Sequence, residues 1–162
     1  MDLDALPAYL AALRDAAGEA AIPAANAMGT EVKRQVTAQL KLVAHAPGIF
    51  WKAAPSRPPA YASGHLAGSM MMVPASTAVV ATALVGNTAI YAAIQEFGGP
   101  TWPNRSAYMH WVNTGGSWYK KRITIPQHPY FRPTVERLIA NGGLTREAMS
   151  AFWVRILPFF SG

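Results

Sequence analysis

Four histidines (His45, His65, His110 and His128) and one isolated carboxylate, Glu96, are the residues best suited by type to proton or metal chemistry. Their spacing argues against both. No two histidines stand three or four residues apart, so no helix face presents a ligand pair, and carboxylates to complete a metal site are scarce. Glu96 is the only acid between residues 32 and 135, so a pair of carboxylates for general acid–base work is missing. Ser63 and Ser69 flank His65, but neighbours in sequence do not make a triad. The chain has no cysteine, which excludes thiolate chemistry and disulfides. The expectation is a protein that is not an enzyme and holds no metal or cofactor. Glu96, in YAAIQEFGG, is expected near the end of a short helix, ion-paired with Arg132 or Arg105.

Binding has better candidates. Lys120, Lys121 and Arg122 follow Trp118 and Tyr119 directly, which brings cations and stacking faces together, as nonspecific contact with a nucleic acid requires. No helix-turn-helix, zinc-finger or RNA-sheet signature accompanies them. Charge is divided along the chain. Residues 1–31 carry Asp2, Asp4, Asp15, Glu19 and Glu31 against Arg14, a net of −4. Residues 32–135 carry ten Lys or Arg against Glu96, a net of +9. A basic middle implies a polyanion or an acidic partner. Residues 58–95 carry no Lys, Arg, Asp or Glu, but Pro74, Gly86 and Asn87 punctuate the run, so buried strands are expected there and not a membrane span. The opening MDLDALPAYL lacks the basic start of a secretory signal, so a cytoplasmic site of synthesis and assembly is expected.

These groups need elements to hold them. Leu3, Leu6, Leu10 and Leu13 predict a first helix, Pro23 is expected to interrupt it, and Val32, Val36, Leu40 and Val43 predict a second over 24–44. Residues 47–64, with four prolines and two glycines, predict a loop. Strands are predicted at 69–73, 78–85, 108–113 and 118–125, the last two joined by Thr114-Gly115-Gly116-Ser117 as a hairpin. In the second arm apolar and charged residues blur into each other, as on a wet strand or an edge. The segment PQHPYFRPTVERLI (126–139) reads as a stiff strap. Pro126 and Pro129 fix extended geometry, and Pro133 suits the first turn of a helix over 133–141. Gly142-Gly143 ends that helix and Thr145 is expected to cap a last one, with Met149, Phe152, Trp153 and Ile156 on one face.

The expected fold is therefore α+β: a small antiparallel sheet of about four strands with N-terminal and C-terminal helices packed against it. One domain covers 1–162, divided into a helical arm (1–22), a core (23–141) and a C-terminal helical extension (142–162). Phe152, Trp153, Phe159 and Phe160 give the extension more apolar surface than one small core uses, which marks it as a candidate docking tail.

Three stretches form an ordered set. PPAYASGHLAGSM (58–70) resembles a proline-rich loop followed by Ser/Thr-Gly-x-Leu-x-x-Ser. YAAIQEFGG (91–99) resembles a Tyr-Ala-x-x-x-Glu-Phe-Gly box. IPQHPYFRPTVERL (125–138) resembles a Pro-x-x-Pro-aromatic-x-Arg-Pro box that opens a helix. Together, over about residues 25–140, they resemble the tail-completion (minor tail component) family of long-tailed bacteriophages. The resemblance implies a structural virion protein of the neck, assembled in the host cytoplasm. It would form a ring of copies of itself, six-fold, at the head–tail junction, beside other neck and tail proteins, with transient contact to genomic DNA and none to a membrane. By position, Tyr91, Glu96, Phe97, Gly98, Pro129, Tyr130, Phe131, Arg132 and Pro133 correspond to the boxes. The implied arrangement sets Tyr130 and Phe131 against YAAIQEF, with Arg132 paired to Glu96. Gln127-His128 departs from the small residue and Arg expected before Pro129.

Overall fold

The computed structural model describes residues 6–42, 57–59, 64–76, 80–104, 106–113 and 116–160. The side chains of 111–113 and of Phe159 lie outside what is described, as do Val43, Phe50, Trp51, Tyr61 and Arg105. The element order is α1 (Leu6–Lys41), α2 (His65–Gly68), β1 (Met70–Val73), β2 (Leu84–Asn87), α3 (Ala92–Phe97), β3 (Gly99–Thr101), β4 (Met109–Asn113), β5 (Gly116–Lys120), β6 (Ile123–Ile125), α4 (Arg132–Ala140) and α5 (Gly143–Ile156). A 3₁₀ turn, Leu157–Phe160, follows. The fold is mixed helix and strand with small antiparallel sheets, flanked by N- and C-terminal helices.

One helix replaces the two predicted before the loop. α1 runs through Pro23 for 36 residues, about 54 Å at 1.5 Å per residue. An internal proline removes one hydrogen bond and crowds the carbonyl four residues back, at a cost of about 3 kcal/mol. Packing against α5 offsets it. Leu144 joins the core beside Val36 and Leu40, Glu147 acts electrostatically on Arg34, and Arg155 lies with Glu19, Ile22, Pro23 and Asn26. The two helices therefore run antiparallel, with Ala20 and Ile156 both buried. Along α1, Glu31 accepts a two-pronged bond from Arg34 at 2.7 Å through both oxygens. That guanidinium holds the Glu31 carboxyl below its usual range.

The second correction concerns the sheet. Among the described residues the strands form three separate antiparallel pairs, β1–β2, β3–β6 and β4–β5, not one sheet of four. β1 pairs Met70 with Asn87 through Val73 with Leu84, so the second strand lies later than 78–85. The predicted arm 118–125 divides at Lys121-Arg122: its first half pairs with β4, its second with Gly99–Thr101. Two cation–π contacts accompany the change of partner. Lys121 Nζ lies 5.6 Å from the Tyr108 ring centre and the Arg122 guanidinium 5.7 Å from that of Trp102. β3 was not anticipated, since GPT offers no strand pattern and Pro100 cannot donate to a ladder.

The core gathers Val32, Val36 and Leu40 of α1 with Ala67, Met70, Tyr130 and Leu138, and Leu66, Val85, Phe131, Val135 and Leu144 pack around them. β1 lies close on α1: a Cβ at Gly29 would stand 2.9 Å from Met72 Sδ. Asn26 holds the chain after β1, its Oδ1 accepting from the Ala75 N–H at 2.7 Å. The last helix starts earlier than predicted. Asn141 Oδ1 accepts the Gly143 N–H at 2.9 Å, and α5 begins there, which puts Thr145 inside the helix and not at its cap.

Candidate functional site: a carboxylate clasp and an exposed hairpin

The strap occupies the centre of the molecule. Between Pro129 and Pro133 lie three consecutive N–H groups, those of Tyr130, Phe131 and Arg132, at the entry to α4. The start of a helix leaves its first donors without backbone acceptors. Here one side chain serves all three. Glu96 Oε2 accepts from Tyr130 at 2.8 Å and Phe131 at 2.9 Å, and Oε1 accepts from Arg132 at 2.9 Å. A carboxylate from a distant element thus caps α4 and meets the positive end of its dipole. Thr134 completes the turn, its hydroxyl donating to the Tyr130 carbonyl at 2.7 Å.

The expected ion pair between Glu96 and Arg132 is therefore corrected. Arg132 meets Glu96 through its backbone, while its exposed side chain lies 3.9 Å from Glu136, one turn along the helix. Two prolines remove competing donors, so the available N–H groups are concentrated at 130–132. The spacing of Pro129 and Pro133 was the signal that could have revealed this. The other suggested partner, Arg105, lies outside the described residues.

Three further contacts seat the strap. The His128 N–H donates to Gln95 O, and the buried His128 ring donates through Nδ1 to Arg57 O at 3.0 Å. Gly98 has φ 67°, and a Cβ there would stand 2.7 Å from Gln127 N and 2.9 Å from Ile125 O. Glycine is required on both counts. Tyr130 is 2 % exposed. Burial first, then the Glu96 charge and Tyr91, push its phenol up to about 12.

Of the other residues in the resembling boxes, Phe131 and Pro129 are half-buried, Arg132 and Pro133 are exposed, and Phe97 is 70 % exposed. Tyr91 sits at the start of α3, its ring 5.9 Å from that of His65. Ser69 donates to the His65 carbonyl at 2.7 Å, with His65 Nε2 more distant at 3.5 Å, so the serine proton is directed to the backbone.

The basic segment lies elsewhere, on and beside the β4–β5 hairpin. Every residue of β5 is exposed, in agreement with the blurred pattern of that arm. His110 stacks on Tyr119 at 4.4 Å and bonds Ser117 at 2.9 Å, which fixes one face. Lys120, Lys121 and Arg122 are exposed, and among the described residues none of the three forms an ion pair. Lys120 and Arg122 reach a groove of about 480 Å³ that extends to Gln95 and His128, so the hairpin base adjoins the strap. The C-terminal aromatics divide: Phe152 is half-buried with its ring edge-on to Trp153, whereas Trp153 and Phe160 are exposed. No described helix is long and apolar enough to cross a membrane. No protein-family model matches the chain, and neither does any curated protein or solved structure.

Proposed function

We propose that this chain is a structural protein of the neck of a long-tailed bacteriophage, forming a ring at the head–tail junction that completes or joins the tail. The observation that carries the reading is the Glu96 clasp. It ties the Glu-Phe-Gly box to the aromatic-x-Arg-Pro box through three backbone bonds. The remaining box contributes Leu66, Ala67 and Met70 to the same core as Tyr130. Glu96, Gly98, Tyr130 and Phe131 of the boxes are thus spent on holding one rigid unit. Exposed apolar side chains remain for contact, among them Trp118 and Tyr119 of the hairpin, Leu10 of α1, Phe97, Trp102 and Phe160. Rigid parts with two unlike surfaces suit a ring, since a heterologous interface closes by rotation and a pre-ordered segment loses little entropy on docking.

Light scattering on the purified protein tests the reading directly. A discrete oligomer is expected, and mass spectrometry should find the chain in assembled particles. A chain that stays monomeric at all concentrations and is absent from particles would overturn it.

A second reading has one observation in its favour. Trp118 and Tyr119 are exposed beside three cations that form no ion pair among the described residues, the composition of a nonspecific nucleic-acid contact. Filter binding across a salt series separates the two. Micromolar or tighter affinity at physiological salt favours a dedicated nucleic-acid module. Weak, steeply salt-dependent binding suits a channel lining.

A further inference from the structure

The groove where the hairpin base adjoins the strap holds about 480 Å³ and is lined by Lys120, Arg122, Gln95 and His128 together with β6 and Pro126. Its charge is one-sided. Glu96 is the only acid between residues 32 and 135, and both its oxygens are taken up by the N–H groups of 130–132. Gln95 and His128 add polar groups without negative charge, and the His128 ring is fixed by its bond to Arg57 O. Each cation also has an indole beside it. Trp118 and Lys120 stand two apart on β5 and so share a strand face, and Trp118 is 48 % exposed. The Arg122 guanidinium lies 5.7 Å from the ring centre of Trp102, which is 60 % exposed. The two cations are thus bracketed by two exposed indoles.

We propose that this groove seats a single-stranded nucleic acid, with backbone phosphates on Lys120 and Arg122 and the flanking bases stacked on Trp118 and Trp102. The inference rests on the nucleic-acid reading and names its strand type and its seat. Phosphates need the cations, and indole faces add affinity by stacking on bases that are not already stacked in a duplex. An acidic peptide would use the cations and leave the indoles idle. It would also find little backbone to pair with, since β6 is three residues long and Pro126, next in the chain, has no N–H. A duplex would meet the cations alone.

Fluorescence anisotropy of a labelled oligothymidylate, titrated with the full chain across a salt series, tests the seat. Lys120→Gln and Arg122→Gln should each weaken binding and lower the slope of log affinity on log salt by about 0.7, the value for one phosphate contact on a single strand. Trp118→Leu and Trp102→Leu should each weaken binding about tenfold and leave the slope unchanged, because stacking releases no counterion. Trp118→Phe should restore most of the loss. Arg146→Gln, on α5 and outside the groove lining, is the control, and every variant is checked for folding by circular dichroism. If the oligothymidylate binds but the four groove variants behave as the control does, the seat is wrong while the nucleic-acid reading stands. If it does not bind even at low salt, both fall. A duplex of the same length that binds as tightly would overturn the assignment to single strands. Polyglutamate that displaces the oligothymidylate as well as its unlabelled form does would overturn it in favour of an acidic peptide.

Discussion

At Glu96 a single side chain replaces the water of three backbone donors. Each hydrogen bond to a charged group contributes about 1.5–3 kcal/mol, and losing one partner leaves the others buried and unsatisfied. Glu96→Gln keeps the shape but sets an amide N–H₂ against at least one N–H. A loss of about 3 kcal/mol in denaturant unfolding is therefore expected, with Glu96→Ala at least as severe. A Glu96→Gln chain as stable as the parent would show that the clasp contributes little. Gly98→Ala probes the same junction from the other side. With φ 67° and ψ −173°, Gly98 occupies a backbone region essentially confined to glycine, which costs a residue with a Cβ about 1–3 kcal/mol, and the 2.7 Å approach to Gln127 N adds strain. A combined loss of about 3 kcal/mol is expected. Tyr130 supplies a pH signature. An unfolded tyrosine titrates near pH 10, and the native phenol is pushed up to about 12. Between these values the native state keeps a proton that the unfolded state has lost, so stability declines as pH rises. The contribution is full below pH 10 and gone above 12. Tyr130→Phe should flatten that part of the stability profile relative to the parent, read by urea midpoints across the alkaline range.

At the scale of elements, what could be read in the sequence divides by the range of the interactions. Val32, Val36 and Leu40 signalled the buried face of α1 because a helix writes its packing at a period of 3.6. The hairpin was legible in its glycine turn, and the strap in its prolines. Pro23 misled because its local cost was evident while the compensating partner, α5, enters more than a hundred residues later. The single sheet misled because strand pairing is chosen by partners distant in sequence. Ile123–Ile125 takes Gly99–Thr101, a partner without strand character of its own. Glu96 was singled out from its isolation among cations, yet isolation gave the wrong acceptor geometry: backbone amides carry no sign in a charge count. If α5 offsets Pro23, then Pro23→Ala should keep that packing and recover the lost backbone bond. A gain of up to about 3 kcal/mol is expected, seen as a higher thermal midpoint with unchanged helical content. A loss of stability would mean that the proline ring itself fills the contact with Ile22 and Arg155.

Across the whole molecule, stability and contact reside in different parts. The core joins α1, α4, α5 and the strap, and the hairpin stands apart from it. β6 keeps its own partner in β3, so the chain on the far side of the hairpin does not depend on β5 for its position. Replacing Met109–Lys120 by a short glycine–serine link should therefore leave the thermal midpoint within a few degrees of the parent, because little apolar surface of the core is uncovered. The same deletion removes Trp118, Tyr119 and Lys120 from the surface. Anisotropy should then find the oligothymidylate unbound under conditions where the parent binds it. Phe131→Ala is the opposite probe. It cuts into the strap beside Tyr130 and should destabilise by about 3 kcal/mol, with binding lost only as far as folding is lost. The two variants separate a scaffold from the surface it presents. A hairpin deletion that unfolds the protein, or one that binds as the parent does, would mean that the division between them is drawn in the wrong place.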